Sequence, residues 1–176
     1  WENDIQMKGT PHRVAKMYVE DLFKGTYADD PAITAFDNNG QYDGMVFNGN
    51  IPIQSVCAHH IISFVGKCHV AYIPSPNGKV VGLSKLNRIV EYFARRPYIQ
   101  ENLTMDIFNY IDKICDSNYG VAVMIEANHL CVKLRGVKHN STMYTSKLSK
   151  GFLEDDRIRK EFYSFINMTK HNSDLI

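Results

Sequence analysis

At 176 residues the chain has the length of one domain, residues 1–176, with a core of useful size. Its 44% hydrophobic and 22% charged residues are ordinary for a soluble globular protein, and a formal net charge of +1 exerts no general pull on nucleic acid or an anionic membrane. No apolar run reaches membrane-spanning length and no signal-peptide pattern opens the chain, so neither a membrane nor nucleic acid is expected as a partner.

The spacing of "GTPHRVAKMYVEDLFKG" predicts a helix, with Thr10 as N-cap, Pro11 in the first turn and Gly25 as the stop. Val14, Met17, Tyr18 and Leu22, with Asp21 among them, give it a mostly apolar face. "DNNGQYDG" reads as a loop. "MVFNGNIPIQSVC" and "FVGKCHVAYIP" read as strands, and "SPNGK" at 75–79 as a turn at a hairpin tip. A second helix is expected from Ser84 to Arg95, with Leu86, Ile89, Val90 and Phe93 as its apolar stripe and Pro97 ending it. A third follows through Ile99, Leu103, Ile107, Phe108, Ile111 and Ile114. "GVAVMIEANHLCVKLRG" predicts one long strand from Gly120 to Gly136, and "DDRIRKEFYSFINM" a closing helix. This order implies an α+β domain: an antiparallel sheet with helices packed on one side. Trp1 in place of an initiating methionine fits a trimmed chain or a fragment of a longer one.

The four cysteines, Cys57, Cys68, Cys115 and Cys131, could form two disulfides. Nothing else resembles a small secreted scaffold, so reduced thiols in a cytoplasmic protein are expected, two of them serving a metal. "CAHH" offers Cys57, His59 and His60; "NHLC" offers His129 and Cys131. Thiolate and imidazole are the ligands zinc prefers. On a continuous strand His129, Cys131, Lys133 and Arg135 would share one face, gathering ligands and cations in one pocket. Five candidate ligands exceed the three that an open, catalytic zinc uses, which leaves two residues for proton transfer, and imidazoles titrate near neutrality. A closed structural zinc and buried histidines without metal stand as alternatives.

In "GLSKLNRIVEYF", Ser84, Lys85 and Arg88 lie in the first turns of a helix, where a basic face and the helix N-terminus suit a phosphate group. A solvated basic face is the simpler reading. "QEN" places Gln100 and Glu101 at the start of the next helix, where a carboxylate and an amide could pair with the N–H edge of a guanine.

Together "TPHRVAKM", "CAHH" with "FVGKCHVAYIP", "GLSKLNRIVE", "RRPYIQENLT", "EANHLCVKLRG" and "NSTMYTS", in this order, resemble GTP cyclohydrolase I from Thr10 to about Phe165. The resemblance implies a tunnelling fold (T-fold), a homodecamer of two pentamers with active sites at subunit interfaces, and conversion of GTP and water into formate and 7,8-dihydroneopterin triphosphate. Carried over residue by residue, it implies Cys57, His60 and Cys131 as zinc ligands and His59 and His129 as catalytic histidines. His129 is the first choice to protonate the purine N7, with His59 as shuttle. It further implies Ser84, Lys85, Arg88 and Arg135, with Lys133 nearby, as triphosphate contacts, and Glu101 with Gln100 as the guanine-recognition position.

Three departures accompany the likeness. Ala58 stands where the family has the glutamate of "CEHH", Asn102 where it has the arginine of "QERLT", and "KLSKGF" at 147–152 is more basic than usual. All five candidate ligands and catalytic histidines survive them. Two competing functions follow: a nucleotide- or pterin-binding homologue with weak turnover, and a T-fold cyclohydrolase acting on another purine nucleotide.

Overall fold

The computed structural model describes residues 4–171. The N-terminal segment begins with α1 (Thr10–Lys16), widens into a π-helical stretch (Met17–Leu22) and ends in a 3₁₀ turn (Lys24–Thr26). Thr10 is the first helical residue rather than the N-cap. Gly9 takes the capping position in the left-handed conformation, and the Thr10 hydroxyl accepts from the Arg13 guanidinium at 2.7 Å. Gly25 does more than stop a helix. A side-chain carbon there would lie 2.2 Å from the Tyr92 carbonyl oxygen, so only glycine lets this segment dock on the helix that carries Tyr92. Of the expected apolar face, Val14 and Met17 stay exposed in the single chain while Tyr18 and Leu22 are half-buried; Val19, outside that face, is exposed too.

β1 (Ala35–Asp37) precedes the two long strands β2 (Val46–Cys57) and β3 (Ile62–Ile73), which form an antiparallel hairpin. The "SPNGK" segment does turn the chain, but it is not the tip of a β3 hairpin. The strand that follows, β4 (Lys79–Val81), pairs with β1 in a separate two-stranded sheet. The Tyr72 hydroxyl, accepting from the Val81 N–H at 2.8 Å, holds that small sheet to the large one.

α2 (Leu83–Ala94) and β5 (Pro97–Tyr98) lead into α3 (Gln100–Ile114); then β6 (Gly120–His129), α4 (Leu130–Lys133) and β7 (Met143–Leu148) follow. α5 (Gly151–Glu154) and α6 (Asp156–His171) close the described chain. The main sheet has the order β5-β2-β3-β6-β7, antiparallel except for the two-residue contact of β5 with β2. β7 is an additional edge strand, absent from the expected order.

Alternation along the central strands sends side chains to two cores. Cys68, Val70 and Tyr72 of β3 and Val121, Val123 and Ile125 of β6 face α2 and α3, whose predicted stripes (Leu86, Ile89 and Val90; Leu103, Ile107 and Ile111) are buried there. Each fully buried side chain of this kind stabilises the fold by about 1.5–3 kcal/mol. α2 and α3 pack on one side as expected, but the closing helix does not join them, because Phe162 and Ile166 are buried against the opposite face. On the other face Ala71, Ala122 and Leu148 meet Phe152 of α5 and Phe162 and Ile166 of α6. The ends of β2 and β6, where α3 begins, are the part of the fold that carries the candidate chemistry. Among the described residues no helix is long and apolar enough to cross a membrane.

Candidate functional site

"CAHHII" spans the end of β2 and the hairpin tip. Cys57 is the last residue of β2, and its carbonyl accepts the Ile61 N–H at 2.9 Å to close the tip. Ala58 N–H donates to Tyr98 O of β5 at 3.0 Å, and the Tyr18 hydroxyl donates to Ile61 O at 2.8 Å. Ile61 is held at φ 54, a conformation that costs a β-branched residue about 1–2 kcal/mol. The three hydrogen bonds around it offset that strain.

Register brings the second motif beside the first. Phe64 of β3 lies opposite His129 of β6, and their rings stack with centroids 4.5 Å apart at 12°. The strand expected to run to Gly136 ends at His129. The β3 ladder stops at the Phe64–His129 pair and the β7 ladder at Ala127–Met143, so the backbone beyond has no strand to bond. It bonds to itself instead, Leu134 N–H to Leu130 O at 2.9 Å, and forms the turn α4. Cys131 is therefore on a helical turn, and Lys133 and Arg135 do not share a strand face with His129; both are exposed.

One ligand atom from each of Cys57, His129 and Cys131 lies within 4.8 Å of the others. The four cysteines are free thiols, all buried. Burial, the Cys57 hydrogen bond and the Cys57 charge all push the Cys131 thiol up. Two sulfurs and an imidazole this close suit a soft or borderline cation, whose charge would reverse that penalty and favour thiolate. The other two thiols are inert by comparison: burial raises Cys68 far and Cys115 to about 12. The group differs from the ligand set implied by resemblance in one member, since His129 stands in it and His60 does not. His60 is exposed at the tip, with a ring contact to His59 (centroids 6.4 Å apart). His59 is closer in, its Nδ1 3.7 Å from Cys57 Sγ.

Cys57, His129 and Cys131 line a cavity of about 280 Å³ together with His59, Gln100 and Glu101, with Ile99, Val132 and Met143 as its apolar lining. Glu101 sits exposed in the first turn of α3, where the helix dipole favours a carboxylate. Burial lowers the pKa of His129 and His59 adds to this, while the nearby Glu101 charge opposes it. Gln100 departs from expectation. Its side chain is buried, with Nε2 donating to Ile125 O (3.2 Å), Met143 O (3.1 Å) and Thr145 Oγ1 (3.1 Å), and Oε1 is 2.9 Å from His129 Nε2. Both polar atoms of that amide are thus engaged within the chain, and Gln100 also borders the cavity.

Thr104 and Thr145 complete this network, and their part in it went unread in the sequence. Thr104 does stand four residues after Gln100 on a helix, the spacing at which its hydroxyl reaches the Gln100 carbonyl (2.9 Å).

The cationic residues on α2 lie elsewhere in the chain. Lys85 Nζ donates to Ala32 O at 3.1 Å, and Ser84 is exposed. Arg88 lines a second cavity, about 300 Å³, together with Lys24, Arg95 and Tyr92. Within one chain the phosphate candidates and the cysteine–histidine cluster do not share a pocket.

The family profile described as GTP cyclohydrolase I matches residues 2–167. The chain belongs to the GTP cyclohydrolase I family. Among its relatives, the GTP cyclohydrolase 1 of Flavobacterium johnsoniae is 45% identical over 167 residues, covering 94% of this chain and 73% of that protein. That of Actinobacillus pleuropneumoniae serotype 5b is 45% identical over 166 residues, covering 93% and 75%. These relatives are enzymes by name, and this chain is a member of an enzyme family. Among solved structures, the archaeosine synthase QueF-Like in the apo form aligns at a TM-score of 0.43 and 13% identity, over 68% of this chain and 96% of that one. That likeness is too slight to bear on fold or function.

Proposed function

We propose that the protein is a zinc-dependent GTP cyclohydrolase I that opens the imidazole ring of GTP, releases formate and forms 7,8-dihydroneopterin triphosphate. The observation that carries this reading is the convergence of Cys57, Cys131 and His129 within 4.8 Å in a cavity that Glu101 also lines.

Cys57 and Cys131 hold the zinc, and His60 is the third ligand. His60 is exposed at the tip and, among the described residues, makes no hydrogen bond, whereas His129 is already held by Gln100 and Phe64. Bound zinc supplies a Lewis acid that makes water nucleophilic near neutral pH. His129 gives a proton to the purine N7, which makes C8 electrophilic, and His59 shuttles protons as the ring opens. The Glu101 carboxylate accepts from the guanine N1–H and 2-amino group, a pairing that adenine cannot offer. Lys133 and Arg135, exposed just beyond Cys131, meet the triphosphate together with Ser84, Lys85 and Arg88.

Because Arg88 of α2 opens onto a different cavity, these contacts come from neighbouring copies, and the protein works as a homo-oligomer, a decamer of two pentamers in the cytoplasm. The exposed Val14, Met17 and Val19 support assembly through the N-terminal helix.

Metal analysis paired with a GTP-to-neopterin fluorescence assay and formate detection tests the reading. One zinc per chain, with formate released from GTP, is the expected result. Nucleotide binding without formate would leave a binding homologue, and preference for dGTP or ATP would reassign the substrate. Zinc retained in His60→Ala but lost in His129→Ala would move the third ligand to His129.

A further inference from the structure

We infer that Gln100 is a positioning residue that fixes His129 as the tautomer protonated on Nε2, leaving Nδ1 as the ring atom that does the chemistry. This rests on the proposed role of His129, and it replaces guanine contact as the function of the Gln100 side chain.

The proton order can be read from the partners alone. Ile125 O and Met143 O are backbone carbonyls, which only accept. The end of the Gln100 amide that faces them, at 3.2 and 3.1 Å, is therefore the NH2 group. The choice between the two ends of an amide is often arbitrary in coordinates, but here it is dictated by chemistry.

The hydroxyls agree. Thr104 Oγ1 donates its one proton to the Gln100 backbone carbonyl at 2.9 Å. In its 2.7 Å contact with Thr145 Oγ1 it must then accept, so Thr145 spends its own proton there. Thr145 is left to accept from Gln100 Nε2 at 3.1 Å, which again requires NH2 at that end.

Oε1 then points at His129 Nε2 at 2.9 Å, and an amide oxygen can only accept. In the neutral ring the nitrogen that donates carries the proton and the other carries the lone pair. The Phe64 ring, stacked at 4.5 Å and 12°, fixes the plane of the imidazole while Gln100 fixes its rotation. Gln100 is itself buried with every polar atom of its amide engaged, so the arrangement cannot relax by turning the amide over. Nδ1 is therefore the atom that accepts a cation, or that first takes up a proton from solvent or His59 and then hands it on, while Nε2–H stays on Gln100.

The test uses solid-state 15N spectra of histidine-labelled protein at mildly alkaline pH, as purified and again after chelation. The His129 signal is assigned by its loss in His129→Asn. The expected spectrum shows Nε2 protonated and Nδ1 bare; a protonated Nδ1 with a bare Nε2 in the chelated protein overturns the inference. Kinetics supply the second readout. Gln100→Leu is expected to lower kcat by roughly 10–100-fold, the usual effect of losing a group that orients a working histidine, with KM for GTP within about twofold of wild type. Gln100→Glu keeps an acceptor for Nε2–H and recovers part of the loss. A raised KM with unchanged kcat in Gln100→Leu would restore guanine contact and sink the inference. The wild-type spectrum decides even if Gln100→Leu fails to fold. Absence of GTP turnover in the wild type would count against the proposed function and leave the tautomer to the spectrum.

Discussion

Gly66→Ala is a small change with a large expected effect, because β3 and β6 leave no room for a side chain there. Gly66 of β3 lies opposite Ala127 of β6 and Ile53 of β2. A methyl carbon at position 66 would sit 2.0 Å from Glu126 O and 2.6 Å from the Ala127 Cα, against an ordinary contact of 3.4 Å or more. The gap must open by about 1.4 Å, the difference between 3.4 and 2.0 Å, and the obstacle is backbone that no rotamer change can move. Overpacking of this kind costs about 1–3 kcal/mol, and a rigid obstacle argues for the upper half of that range. For a domain of this size that lowers Tm by roughly 4–12 °C. The displaced segment leads directly into His129 and Cys131, while Cys57 stays on β2. A misplacement of about 1 Å at reacting groups costs on the order of 100-fold in turnover. Thermal unfolding, zinc content and kcat for GTP, measured on one preparation, check the chain of argument. A Gly66→Ala protein with wild-type Tm and wild-type turnover would refute it.

Ala58→Glu should raise the rate of neopterin formation with a smaller change in GTP affinity, since a carboxylate at the tip can orient His59 or water but removes no ligand; a lowered rate would mark alanine as an adaptation of this chain. Glu101→Gln should weaken GTP binding while zinc content stays constant, and unchanged affinity in a titration would remove Glu101 from guanine recognition. Burial lowers the pKa of His69, whose Nε2 has no hydrogen-bond partner among the described residues. The unfolded chain therefore takes up a proton that the folded one refuses. Stability should be full above about pH 6.5 and fall as pH drops towards the folded-state value, by at most about 1.4 kcal/mol per unit. His69→Phe should flatten that acid slope in urea unfolding, and an unchanged slope would exclude His69 as its source. Light scattering should report a large homo-oligomer; a fully active monomer would contradict a pocket completed between copies.

Much of this protein is decided locally and so is legible in the sequence. Leu86, Ile89, Val90 and Phe93 recur at helical spacing because one face of α2 must be buried, and it is. Cys57 and Cys131, each two residues from a histidine, mark a candidate metal-binding group because thiolate and imidazole are the donors a borderline cation prefers. Tertiary structure decided what depends on partners distant in the chain. Whether residues after His129 continue a strand depends on there being another strand to bond, and both ladders run out first. Whether Gln100 faces a ligand or the interior depends on Ile125 and Met143, brought alongside by β6 and β7. A glutamine has the same letters in either place. Hydrogen-bond partners 25 and 43 residues away decide which, because a buried amide must satisfy its donors and acceptor where the fold happens to offer them.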